Sequence, residues 1–277
     1  MLRFFRQIRQ RLLTDNPPDR PSRAGKFSKY LLYVIVEVLI VIIGILIAIQ
    51  VDNYNTRQQE QKAYYSYLLR LKEDMQTVRT TIIMRKEIES RLIELGQYEM
   101  DVLTGKIPNP NPMKLALAIE YTGNISRYEM TSPTYMELIE TGNLSLIEDD
   151  SLMTYLSGYQ TYIQMRKDQK TEWEPWIKEY RSLVRNILDP EDRSYIDLSF
   201  NLDAMNLKSP VWKDFNLQTP DQEIVRKLLE IKDLKGLLQD ILSGRKITVT
   251  YQNIEVETST IMIRLIQAEI DRLDGKP

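Results

Sequence analysis

The chain has 277 residues, 43% of them hydrophobic, and a formal net charge of −2, which is enough length and apolar content to pack one large domain or two small ones. It contains no Cys and no His, which excludes thiol nucleophiles, Ser-His relays, disulfides and thiolate or imidazole zinc sites, because those chemistries need a group that ionises or ligates near neutral pH. Only 10 Gly, with long Pro-free runs rich in Leu, Ile, Glu, Lys, Gln and Arg, predict an all-α fold.

Residues 1–29 hold Arg3, Arg6, Arg9, Arg11, Arg20, Arg23, Lys26 and Lys29 against Asp15 and Asp19, a surplus of +6 that leaves the remainder at −8. The basic part suits an anionic membrane surface, and the acidic remainder argues against nucleic acid as a partner. Leu2, Phe5, Ile8 and Leu12 fall at helical spacing, which fits either a short helix in the headgroup layer or a plain basic tail that sets topology. The stretch NPPDRPSRAG, 16–25, reads as a linker.

From Tyr30 to Ile49 the only charge in 20 residues is Glu37. At about 1.5 Å rise per residue such a helix covers the ~30 Å hydrocarbon core of a bilayer. A cleaved signal sequence fits less well, because the apolar run is longer than an h-region and ends in Ile-Gln-Val-Asp. Residues 30–51 are therefore expected to form one transmembrane helix. Eight basic residues precede it, whereas the fifteen positions after Val51 hold only Arg57 and Lys62, so the positive-inside rule puts 1–29 in the cytoplasm and exports 52–277. On a helix, Gly44 and Ala48 each lie about 20° from Glu37. This narrow face of Glu37, Gly44 and Ala48 is the expected surface for helix association, with small residues admitting a second helix and the carboxyl bonding across it.

Beyond the span, Tyr64, Leu68, Leu71, Met75, Val78 and Ile82 follow at steps of four and three, predicting a long helix to Leu103 that GKIPNPNP, 105–112, ends. The repeat in AIEYTGNIS, 118–126, and LIETGNLS, 138–145, predicts two helices closed by left-handed Gly123 and Gly142, with a ligand loop or a glycosylation sequon as the alternative. Ser132-Pro133 opens a helix, and Glu148, Asp149 and Asp150 favour another that Pro175 should kink or split. Along it, Tyr155, Tyr159 and Tyr162 share one face, as do Trp173, Trp176 and Tyr180; these six are candidates for a ligand pocket or for core anchors.

The stretch 189–218 reads as mostly irregular. Its Asp189, Glu191 and Asp192 lack the ligand spacing of a calcium loop. Thr219, Pro220 and Gln222 predict a capping box. Gly244-Arg245-Lys246 lacks the remaining elements of a phosphate loop. Finally Ile247, Tyr251, Ile254, Thr258, Ile261, Leu265 and Ala268 form a second heptad seam, expected to return antiparallel to the first. The predicted architecture is one N-terminal transmembrane helix followed by an elongated antiparallel helical bundle.

The segments FFRQIRQRLL, KFSKYLLYVIVEVLIVIIGILIAIQVDNYN and SPTYMELIETGNLSLIEDDSLMTYLSGY resemble a family of uncharacterised single-span proteins from Gram-negative bacteria. The resemblance implies an inner-membrane location with an exported helical domain, and carries over no activity, cofactor or site residue. No catalytic, cofactor or metal constellation is legible. The expected function is that of a non-enzymatic, membrane-anchored scaffold or sensor subunit, associating with another copy or another membrane protein through the span. The alternative is a subunit of an ion-driven complex using Glu37 in the membrane.

Overall fold

A computed structural model describes residues 23–125 and 131–275. The expected headgroup helix at 2–12 lies outside the described residues, as does most of the expected linker. Helix α1 begins at Arg23, so the last three linker residues are helical; beyond Pro21 nothing in the sequence hinders a helix. Seven α-helices and two 3₁₀ turns make up the described secondary structure, with no strand among the described residues: α1 Arg23–Leu103, α2 Pro112–Thr122, α3 Pro133–Glu140, α4 Asp150–Val184, α5 Pro190–Leu198, α6 Asp221–Glu230 and α7 Leu234–Leu273.

The chain divides into two compact units, Met1–Gln61 and Lys62–Pro277. In the first, α1 carries the apolar segment, long and apolar enough to cross a membrane, and every residue of 34–51 is exposed. A soluble core helix would bury one stripe at least.

The second unit is built on three long helices. The predicted seam of α1 is buried throughout: Tyr64, Leu68, Leu71, Met75, Val78 and Ile82, each contributing about 1.5–3 kcal/mol of apolar burial for a full-sized side chain. Helix α7 runs antiparallel to it. Tyr64 Oη donates to Glu269 at 3.0 Å, Lys72 bonds Gln267, Arg79 bonds Thr260, Lys86 bonds Asn253 and Arg245 bonds Glu89. Helix α4 puts Leu152 and Leu156 in one apolar cluster with Leu68 and Leu71, and Tyr180 beside Glu99. It is thus parallel to α1 and antiparallel to α7.

The seam of α7 differs from the predicted one by a single position. Its buried line is Ile241, Arg245, Thr248, Gln252, Ser259, Met262, Ile266 and Glu269, while Ile247 and Ile254 are 48% and 46% exposed. One residue rotates a helix face by about 100°. The buried face carries the ion pair of Arg245 with Glu89 together with Leu238, Ile241, Met262, Ile266 and Ile270.

Local signals mostly hold. Asn111 caps α2 by accepting from Lys114 N at 2.9 Å, Ser132 caps α3 through Tyr135 N, and Asp149 caps α4 through Leu152 N. Pro175 does not split α4; it and Thr171, whose carbonyl it leaves without an N–H, are both exposed, on the side where a missing helical bond costs least. Gly142 takes the left-handed conformation at φ 72, but Gly123 does not, at φ −78. Gly123 is needed for closeness instead, since a Cβ there would stand 2.8 Å from Arg181 Cγ.

The stretch 189–218 is more ordered than its composition predicts. It holds α5 and a 3₁₀ turn at Pro210–Trp212. Trp212 Nε1 donates to Ala204 O at 2.8 Å, and Tyr195 stacks on Phe215 at 4.5 Å. The capping box at Thr219 does not form. Helix α6 has no side-chain cap bond, because the Thr219 hydroxyl donates to buried Asp192 at 2.7 Å and accepts from Asp189 N at 2.7 Å. Asp192 also takes the Gln218 and Thr219 N–H groups. Two of the three acidic side chains are thereby tied to backbone: Asp189 caps α5 and Asp192 holds 218–219.

Candidate functional site

The bundle has two apolar clusters. One gathers Leu92, Leu95, Leu115, Ile119, Tyr180, Ile224 and Leu238 with their neighbours. The other gathers Leu68, Leu71, Met75, Tyr135, Leu156, Met262 and Ile266 with theirs. Between them, α1, α4 and α7 turn polar side chains inward, and a cavity of about 150 Å³ opens. Its walls are Ile82, Arg85 and Glu89 from α1, Ile163, Arg166, Lys167, Lys170, Trp173 and Trp176 from α4, and Arg245, Thr248, Gln252 and Glu255 from α7. Five cationic side chains thus face two carboxylates.

Arg245 organises this layer. Its Nη1 donates to Glu89 Oε2 at 2.6 Å and its Nη2 to Thr122 O at 2.8 Å and Asn124 O at 2.5 Å. The guanidinium therefore neutralises a buried carboxylate, caps Thr122 O, the last carbonyl of α2 at the negative end of the helix dipole, and holds Asn124 O just beyond the helix. Its Nε is buried and meets no partner, and the same holds for the acceptor Gln252 Oε1. Each such buried, unsatisfied group costs about 1–3 kcal/mol. Arg166 bonds Gln169 at 3.0 Å and stands 4.0 Å from Glu255. Burial pushes the Glu255 carboxyl up to about 7, with Arg166 pulling the other way. Trp173 lies against the backbone of α7 at Gly244, where a Cβ would come within 3.0 Å of the indole ring. The lining thus combines cationic side chains with an aromatic wall.

The six candidate aromatics do not form one site. Trp173 and Trp176 line the cavity. Tyr162 packs edge-on against Tyr251 at 6.1 Å, and Tyr159 against Tyr135 at 5.9 Å. Tyr155 packs at the border of the same cluster as Tyr159. Tyr180 is fully buried in the other cluster, its Oη 2.7 Å from Glu99 Oε2 and 3.0 Å from Ile119 O. One hydroxyl proton serves only one acceptor at full strength. Glu99 in its neutral form removes the conflict by donating to Tyr180 while Tyr180 donates to Ile119, and burial raises the Glu99 carboxyl to about 8 accordingly.

Glu37, Gly44 and Ala48 are exposed on α1, and a Cβ at Gly44 would meet nothing within 4 Å. Among the described residues no group of three His, Cys, Asp or Glu is placed to hold a metal.

The residues of the polar layer had a readable signal. Continuing the α1 seam past Ile82 by alternate steps of three and four reaches Arg85, Glu89, Leu92, Gly96 and Glu99. Charge at such inward positions is expensive unless paired, and so marks a designed interior contact.

Comparison of the chain with protein-family models, with curated proteins and with solved structures finds no match.

Proposed function

We propose that this protein is a non-enzymatic, membrane-anchored sensor subunit. It crosses the inner membrane of a Gram-negative cell once, keeps residues 1–29 in the cytoplasm and holds 52–277 in the periplasm. It associates with a second copy or another membrane protein through Glu37, Gly44 and Ala48. The observation that carries this reading is the exposure of the whole segment 34–51 beside a second unit that buries its own core; an apolar surface of that extent requires lipid or another helix to cover it. The +6 tail supports the orientation, and the resemblance to single-span Gram-negative proteins supports the membrane. The cationic and aromatic lining of the interior cavity supports a sensor over a bare scaffold.

The test is association of the full chain in lipid nanodiscs or mild detergent. Gly44→Ile with Ala48→Ile holds helix backbones apart and should reduce the oligomer or the co-purifying partner, whereas Glu37→Gln should have little effect, because intramembrane side-chain hydrogen bonds average about 0.6 kcal/mol. Unchanged association in the double variant refutes the face. Loss of function in Glu37→Gln with association intact points to ion passage instead. A reporter active only in the cytoplasm, fused after Pro277, must stay silent.

A further inference from the structure

We infer that Glu99, Tyr180 and the Ile119 carbonyl form a proton-operated latch. While Glu99 is protonated the latch holds the last turn of α2 and the residues just after it in the core, and loss of the proton releases them. The inference goes beyond the sensor reading and is argued from the second unit alone.

The last turn of α2 does not close itself. In a continuing helix the Gly123 N–H would bond Ile119 O, but it turns to Tyr121 O instead, as does the Asn124 N–H. Ile119 O takes its hydrogen bond from another element, the Tyr180 hydroxyl of α4, 3.0 Å away. Thr122 O is likewise held from α7, by Arg245 at 2.8 Å.

Tyr180 has one hydroxyl proton, and Glu99 Oε2 lies 2.7 Å from the same oxygen. With Glu99 neutral, the carboxyl donates to Tyr180 and Tyr180 donates to Ile119 O, so every group is served. With Glu99 ionised, the carboxylate takes the Tyr180 proton and Ile119 O is left without a donor. The neighbouring Thr122 hydroxyl, which holds no hydrogen bond, can serve the carboxylate but not Ile119 O. Glu99, Ile119, Thr122 and Tyr180 are all fully buried, so a dry carbonyl and a buried negative charge then stand together at the negative end of the α2 dipole. Opening lets water reach both.

The surrounding charges are already engaged. On α2, Glu120 meets Arg193 of α5 at 2.7 Å; on α4, Arg181 bonds Asn124 and Asp197; on α7, Arg245 is taken up by Glu89 and two carbonyls; on α1, Asp101 meets Lys106. What acts on Glu99 is burial, which raises its carboxyl to about 8, opposed by the hydroxyls of Tyr180 and Thr122; among the described residues no cation offsets the burial. The latch thus turns over just above neutral pH. The segment it releases includes Asn124 and Ile125, which line the cavity between α1, α4 and α7.

The test is hydrogen–deuterium exchange of the full chain in mild detergent from pH 6 to 9, read by mass spectrometry and corrected for the intrinsic rate at each pH. Protection of 116–125 should fall about tenfold between pH 6 and 7 and level off above about pH 8, as linkage to one proton requires. It should stay below the protection of 68–75 at every pH, because a latch opens without unfolding the unit. Glu99→Gln, whose carboxamide donates to Tyr180 permanently, should make 116–125 indifferent to pH. Tyr180→Phe should lower its protection about fivefold or more already at pH 6.

A wild-type profile flat in pH overturns the latch, and this measurement decides the proposal even if a variant fails to fold. Equal protection of 116–125 and 68–75 at every pH overturns it as well, since the whole unit then opens at once. The wild-type slope persisting in Glu99→Gln, or full protection in Tyr180→Phe at pH 6, does the same. None of these readings depends on association through the span.

Discussion

Removing Arg245 is the sharpest probe of the interior polar layer. Its side chain is 6% exposed and that of Glu89 is 8% exposed, so neither charge has more than marginal access to bulk water. Arg245→Met keeps most of the aliphatic volume but deletes the 2.6 Å bond to Glu89 and the two bonds to the Thr122 and Asn124 carbonyls. Breaking a buried pair on one side typically costs about 3–5 kcal/mol, because the other charge is left uncompensated. The orphaned carbonyls add about 1–3 kcal/mol each if dry, and water entering the adjoining cavity offsets part of this. The expected loss is about 4 kcal/mol.

Glu89→Met with Arg245→Met removes both charges and should recover a large share of it, since apolar replacements of buried pairs are often neutral or better. The assay is chemical unfolding of the full chain in a mild detergent, followed by near-ultraviolet circular dichroism of the Trp and Tyr side chains. A loss below about 1 kcal/mol in Arg245→Met would refute the reasoning, by showing the pair to be solvated. A double variant no better than the single would show that the carbonyl caps, and not the charge pair, hold the layer.

Two further outcomes follow from groups elsewhere in the second unit. Glu99 has its folded carboxyl raised from 4.5 to about 8, so the folded state holds a proton that the unfolded state releases, and the contribution of Glu99 to stability is full below pH 4.5 and lost as pH rises toward about 8. Wild type should therefore lose on the order of 3 kcal/mol between about pH 6 and 8, and Glu99→Gln should flatten that slope in a thermal-unfolding series; an identical slope in both proteins excludes Glu99 as its source. Thr219→Val should cost about 1–2 kcal/mol through the lost bonds to Asp192 and Asp189, whereas Gln222→Ala should cost only tenths, because no capping box exists to break; the reverse order in unfolding temperature would restore the box.

The sequence by itself determined the helical class, the apolar segment, most helix ends and the inward face of α1. These are decided within a few residues of chain. An Asn, Ser or Asp oxygen reaches an N–H two or three positions on, as Asn111, Ser132 and Asp149 do, and the period of Leu68, Leu71 and Met75 repeats over one helix. What only the tertiary structure decided lies where distant segments compete for the same group. Thr219 reads as a local cap until Asp192, 27 positions away, takes its hydroxyl. Gly123 reads as a left-handed stop until Arg181 proves to lie against it. The α7 seam reads as apolar through Ile247 and Ile254, yet the fold buries the neighbouring face, where Arg245 meets Glu89, 156 positions away, beside Ile241, Met262 and Ile266, and both isoleucines are exposed. A period counts only the residues of its own helix. A buried charge answers to whichever partner the fold brings. The same reason explains why Arg166, Arg245 and Gln252 were legible as residues but not as a site. They line one cavity only when α4 and α7 lie side by side.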